Sequence, residues 1–160
     1  MSARVTRPIA SDVFEHLDAQ IGSARRLLAH ILRQRDAISR RDTDEVLASV
    51  TDIQRERASR VRLERERAEL LCRAGSMLGV APEVVTTNEL MTDAQGDEAR
   101  TRSAYVRRLL AEVDREHATN RALMRQELSF LEHLTRMLDE MPTTDGEHLP
   151  DPAPLPAAAP

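Results

Sequence analysis

The sequence predicts an all-α fold: an elongated antiparallel bundle of three long, coiled-coil-like helices, with a short helix between the second and third and a disordered C-terminal tail. Three observations predict it. Charged residues make up 31% of the 160-residue chain and aromatic residues 2%, a mixture that suits long helices and poorly suits a β or α/β core. Apolar residues recur at steps of three and four through three long stretches. Gly and Pro are nearly absent from those stretches and gather between and after them. By these signs residues 1–10 read as a flexible end, 11–141 as one helical domain and 142–160 as a disordered Pro/Ala-rich tail.

The first helix is expected from Ser11, a plausible N-cap, with Asp12 and Glu15 in its first turn where the helix dipole favours acids. Val13, Leu17, Ile21, Ala24, Leu28, Ile31 and Ile38 form its seam. Residues 40–45 read as a turn in which Asp42 and Glu45 have the spacing of a capping box. So short a connection implies that the second helix returns along the first.

The second helix is expected over about 43–78, stopping near Gly75 and Gly79. Between residues 55 and 69 it holds six Arg and four Glu, so i, i+4 pairs such as Glu56–Arg60 and Arg62–Glu66 are expected on a solvated face. Thr86 with Glu89 has the form of a cap for a short helix carrying Leu90 and Met91, folded over the end of the bundle. The third long helix is expected from Asp97 to about residue 140, because no Gly or Pro interrupts it before Pro142. Val106, Leu109, Leu110 and Val113 open its seam, and His117 and Asn120 are polar residues at seam-like positions, which set register at some cost in stability. Residues 142–160 hold six of the eight prolines.

Several function classes are disfavoured. All 23 basic residues are Arg, but residues 1–80 carry 15 of them against 12 acids, a net of +3, and residues 81–160 carry 8 against 15, a net of −7. The apolar third helix therefore sits in an acidic half, which argues against a nucleic-acid partner. In the Arg-rich stretch opposite charges alternate and no aromatic residue is available for stacking. No run approaches 18 apolar residues and no apolar leader follows Met1, so neither membrane insertion nor a signal peptide is expected. Cys72 is alone. None of the five His has a Glu three residues before it, as di-iron bundles require, and no phosphate-binding, dinucleotide or nucleophile-elbow motif occurs. No catalytic, cofactor-binding or metal-binding residue is assigned, and the chain reads as non-enzymatic.

The surplus of apolar surface lies in residues 117–141. Leu123, Met124, Leu128, Phe130, Leu131, Leu134, Met137, Leu138 and Met141 spread over a sector wider than one partner helix needs. The excess is downstream of Asn120, since Val106 to Val113 suffice to dock the helix on its neighbours.

Three stretches resemble the FlgN family of flagellar export chaperones. LLAHILRQRDAISRRDTDEVL, residues 27–47, is similar to the family's crossing from helix 1 to helix 2. ERERAELLCRAG, residues 64–75, resembles its charged run ending in LL and a small-residue break. NRALMRQELSFLEHLTRML, residues 120–138, looks like the family pattern N-x-x-N-x-x-L-hydrophobic-x-x-S-L-x-F-L-x-x-L. Asn120 falls on the second family Asn, and Leu123, Met124, Leu128, Phe130, Leu131 and Leu134 fall on hydrophobic positions. His117 stands where the first Asn is usual and Glu127 where Ser is usual.

The resemblance implies a cytoplasmic chaperone of type III export that binds the helical C-terminal segments of the hook–filament junction proteins FlgK and FlgL and docks on the export gate protein FlhA. It implies a partner-binding set of His117, Asn120, Leu123, Met124, Glu127, Leu128, Phe130, Leu131, Leu134, Met137 and Leu138. The alternative is a coiled-coil structural or escort component of a secretion apparatus. Weak homodimerisation is left open.

Overall fold

A computed structural model describes residues 6–86 and 90–140, with side chains from Ile9 onward. Three long helices are present: α1 (Thr6–Ser39), α2 (Thr43–Leu78) and α3 (Asp93–Glu140), with a 3-10 turn at Pro82–Val84. No strand occurs among the described residues. The chain divides into two units, one ending at Met124 and one beginning at Arg125. The boundary falls within α3. Met141 and the expected tail at 142–160 lie outside the described residues.

Within the first unit, α1 starts at Thr6, five residues before the expected cap at Ser11. The reason is tertiary: Ile9 and Ala10 are buried with Leu17, Ala74, Leu90, Met91 and Ala99, so the first turn is held by packing. Ala10, Leu17, Ala24, Ile31 and Ile38 recur every seven residues on the buried face of α1, with Gln20, Leu27 and Gln34 on a second line beside them.

The turn after α1 finishes it with Arg41 in the left-handed region, φ 57°. The Asp42 N–H donates to the Ala37 carbonyl and the Arg41 N–H to that of Ile38, which is the Schellman arrangement with Arg in place of the usual Gly. Asp42 then caps α2 by accepting from the Glu45 N–H at 3.0 Å. Glu45 does not complete the box; its carboxylate goes to Arg33. At the far end Gly79, with φ 70°, closes α2 by donating to the Gly75 carbonyl. Gly75 itself lies inside the helix, where a Cβ would sit 2.7 Å from the Val80 carbonyl oxygen.

Rising numbers on α1 meet falling numbers on α2: Asp12 pairs with Arg73 at 2.9 Å, Arg26 with Glu56 at 3.0 Å and Arg33 with Glu45. Glu56 therefore does not make the expected bond to Arg60. It is buried on the face toward α1, where Arg26 donates two hydrogen bonds, both at 3.0 Å. Burial pushes the Glu56 carboxyl up, but hydrogen bonds led by the Arg26 fork outweigh it and hold Glu56 below the ordinary glutamate range. Arg62 likewise reaches Ser59, not Glu66. Toward α3, α1 pairs Asp18 with Arg102 at 2.6 Å, Arg25 with the Tyr105 hydroxyl at 3.0 Å and Arg35 with Glu116 at 2.7 Å.

Two apolar clusters hold this unit. One gathers Ile9, Ala10, Leu17, Ala74, Leu90, Met91 and Ala99; the other gathers Leu27, Ile31, Ile53 and Val113. Leu90 and Met91 enter the first cluster, so the connection does cover it. The short helix expected there falls on residues 87–89, which lie outside the described residues. α3 begins four residues before the expected Asp97, because Thr92 and Gln95 form a capping box. The Thr92 N–H donates to Gln95 Oε1 at 3.2 Å and the Gln95 N–H to Thr92 Oγ1 at 3.4 Å. Gly96 is buried in the first turn. Several buried positions are polar: His16, Gln20, Ser23, Gln34, Ser49, Glu56 and Asn120. Burial lowers the pKa of His16, against the raising influence of Glu66.

Candidate functional site

The eleven residues expected to meet a partner separate into two groups. His117, Asn120, Leu123 and Met124 belong to the first unit, and Glu127 to Leu138 belong to the second.

In the first group Asn120 is a correction. It is 0% exposed and has no surface to offer a partner. Its Nδ2 donates to the Ile31 carbonyl at 2.8 Å and to Gln34 Oε1 at 3.1 Å. Ile31 O already belongs to a helix ladder, so Asn120 uses its second lone pair. The Asn120 Oδ1 is buried without a donor among the described residues. This geometry fixes the register of α3 on α1, the role a polar seam residue ordinarily has. His117 is half-buried with its Nδ1 enclosed and unpartnered. Leu123 and Met124 are half-buried too. The chemistry of these four is mainly that of packing within the first unit. Gln34 was not singled out in the sequence, although its place on the line Gln20, Leu27, Gln34 marks it as facing a neighbour.

In the second unit, residues 125–140 are wholly helical and every residue from Leu128 to Glu140 is exposed. The run is mostly good helix formers and holds no Gly or Pro, and the Thr135 hydroxyl returns to the Leu131 carbonyl at 3.0 Å. Six large apolar side chains stand in solvent, from Leu134 at 39% to Leu138 at 68%, with Leu128, Phe130, Leu131 and Met137 between. At 100° per residue, Leu128, Leu131, Leu138, Leu134, Phe130 and Met137 cover an arc of about 180°, with Thr135 inside it and Glu127 on the same side one residue before it begins. Arg125, Ser129, Glu132, His133, Arg136, Asp139 and Glu140 occupy the other half. A shallow depression lies where the two halves meet, lined by Leu128, Leu131, Glu132, Thr135, Arg136 and Asp139.

A surface helix needs an apolar stripe of about 100° to dock on a core. Here the stripe is nearly twice as wide and docks on nothing in its own unit. Such an arrangement supports hydrophobic recognition of another helix. Among the described residues no group of three or more His, Cys, Asp or Glu is placed to hold a metal ion. No helix there is long and apolar enough to cross a membrane.

No curated protein and no solved structure matches the chain significantly. A family model does: the one described as FlgN protein matches residues 9–147, which takes in α2, α3 and all but the first three residues of α1. With that match over most of its length, the chain belongs to the FlgN family, the flagellar export chaperones.

Proposed function

We propose that the chain is a cytoplasmic chaperone of flagellar type III export that holds the C-terminal helical segments of the junction proteins FlgK and FlgL and delivers them to the export apparatus through the gate protein FlhA. In this reading α1, α2 and α3 form an antiparallel bundle that supports the recognition surface. That surface is narrower than the one expected from the sequence: Leu128, Phe130, Leu131, Leu134, Met137 and Leu138, with Glu127 at its N-terminal end.

The observation that carries the reading is the half-circumference apolar arc of residues 128–138, every member of it exposed. An unassembled cargo helix exposes an apolar face of its own, and laying the two together removes both from water. Burying one such side chain fully contributes roughly 1.5–3 kcal/mol before ordering costs. Six anchors therefore suffice for micromolar to nanomolar affinity, about −8 to −12 kcal/mol.

The test is calorimetric titration of the full chain with the C-terminal segments of FlgK and FlgL from the same organism. Binding of at least one, abolished by Leu131→Asp with far-UV helicity retained, is the expected result. Heat from neither segment ends the cargo reading.

A further inference from the structure

We propose that the leucine side of the apolar face of residues 128–138, Leu128, Leu131, Leu134 and Leu138, is covered, in the absence of cargo, by the same leucines of a second copy of this chain, running antiparallel to it. This rests on the reading of that face as the cargo site and adds a self-occupied state to it.

Residues 125–140 form a helix in which nothing from Leu128 onward is buried. These are the last turns of the continuous helix α3, and six large apolar side chains left in water along them favour an occupant. Leu128, Leu131, Thr135 and Leu138 are spaced three, four and three, the a/d repeat of a two-stranded coiled coil. Laid antiparallel on itself, this seam stacks Leu128 on Leu138 of the second copy and Leu131 on Thr135. Leu134, on one flank, meets its own counterpart.

The other flank decides the direction. It consists of Arg125, Glu132 and Asp139, at intervals of seven. In the antiparallel register Arg125 faces Asp139 of the second copy, and symmetry makes that attraction twice. Glu132 meets its counterpart at the dyad, one repulsion. In a parallel pair Glu127 would face Glu132 of the second copy twice, with no attraction on either flank. The charges therefore favour the antiparallel self-pair over the parallel one. Because both occupants need the same leucines, self-pairing and cargo binding exclude each other. The second copy shields the leucines from aggregation and yields to cargo by mass action.

The full chain is to be followed by sedimentation equilibrium, with cysteine crosslinking in a Cys72→Ser background, since Cys72 is exposed. A concentration-dependent monomer–dimer equilibrium is expected, lost in Leu138→Asp with unchanged helicity. A cysteine at the dyad, Glu132→Cys, is expected to crosslink, whereas Asp139→Cys, about 21 Å from its counterpart, is not. Crosslinking of both contradicts the antiparallel register. Arg125→Glu is expected to weaken the dimer about fivefold, as two exposed ion pairs allow, and adding Asp139→Arg to restore it. A monomer at all concentrations to about 1 mM overturns the proposal. FlgK or FlgL segments that bind while the dimer persists refute the shared face. If neither segment binds while the antiparallel dimer forms, the self-pair stands and the cargo reading falls.

Discussion

Up to Met124 the interior holds Gln20, Gln34, Glu56 and Asn120 beside its leucines and isoleucines, whereas between Leu128 and Leu138 six large apolar side chains face solvent. Polar groups are buried where the chain must choose one arrangement of its own helices, and the longest run of exposed apolar groups lies where the proposed function has it meet another chain. Buried polar pairs add less stability than well-packed leucines would, but a mispaired register leaves them unsatisfied. The Asn120 Nδ2 bonds to Ile31 and Gln34, and the Glu56 bonds to Arg26, depend on this register. The exposed face has no such pins, which suits the proposed exchange between cargo and a second copy.

The contrast breaks if the two kinds of position respond alike to substitution. The largest effect is expected inside the first unit: Ile31→Ala, at a fully buried side chain, is expected to lower unfolding stability by about 3 kcal/mol in urea melts. Asn120→Ala is expected to cost about 2 kcal/mol, because Gln34 Oε1 loses its donor and a small void opens. A near-neutral result there would return Asn120 to the surface role first expected of it.

Acid should act on the same region. His16 titrates below its ordinary value of 6.5 in the folded chain, so the unfolded chain takes up its proton first. Stability is full above about 6.5 and is lost as pH falls toward the folded pKa. Glu56, also lowered, adds a second loss as pH falls below its ordinary 4.5. Urea midpoints are expected to fall between pH 7 and pH 5 in the parent chain and more shallowly in His16→Gln.

Arg41→Gly is a smaller test in the opposite direction. It relieves a non-glycine residue at φ 57° and is expected to stabilise the first unit by roughly 0.5–1 kcal/mol. The smallest effect is expected from Leu131→Asp, within about 0.5 kcal/mol of the parent in thermal melts, as for other exposed positions. A loss of several kcal/mol would show Leu131 to be core.

Much of this was legible locally. The end of α1 near Ser39, the Asp42 cap and the Gly79 stop follow from turn chemistry that needs no neighbour. The Thr92–Gln95 box carries the same kind of signal, in competition with Asp97, an equally good capping residue five positions on. The start of α1 was not legible, because Ile9 and Ala10 are held by Ala74, Leu90 and Ala99 from far along the chain. Glu56 is identical in pattern to a solvated glutamate until Arg26 is placed beside it. Asn120 is the clearest case. Its position in a family-like motif and its seam spacing suggested different roles, and only the hydrogen bonds to Ile31 and Gln34 separate them. Leu128 to Leu138 were readable because excess apolar arc is a property of one helix.

Amide hydrogen exchange on the full chain, free and with a bound junction-protein segment, tests the central contrast most directly. At concentrations where the chain is monomeric, the amides of 128–140 are expected to exchange quickly while those of 24–38 and 106–120 stay protected. Adding the segment should then slow 128–140 selectively. Strong protection of 128–140 in the free monomer, or a bound segment that leaves them unchanged, would contradict the account.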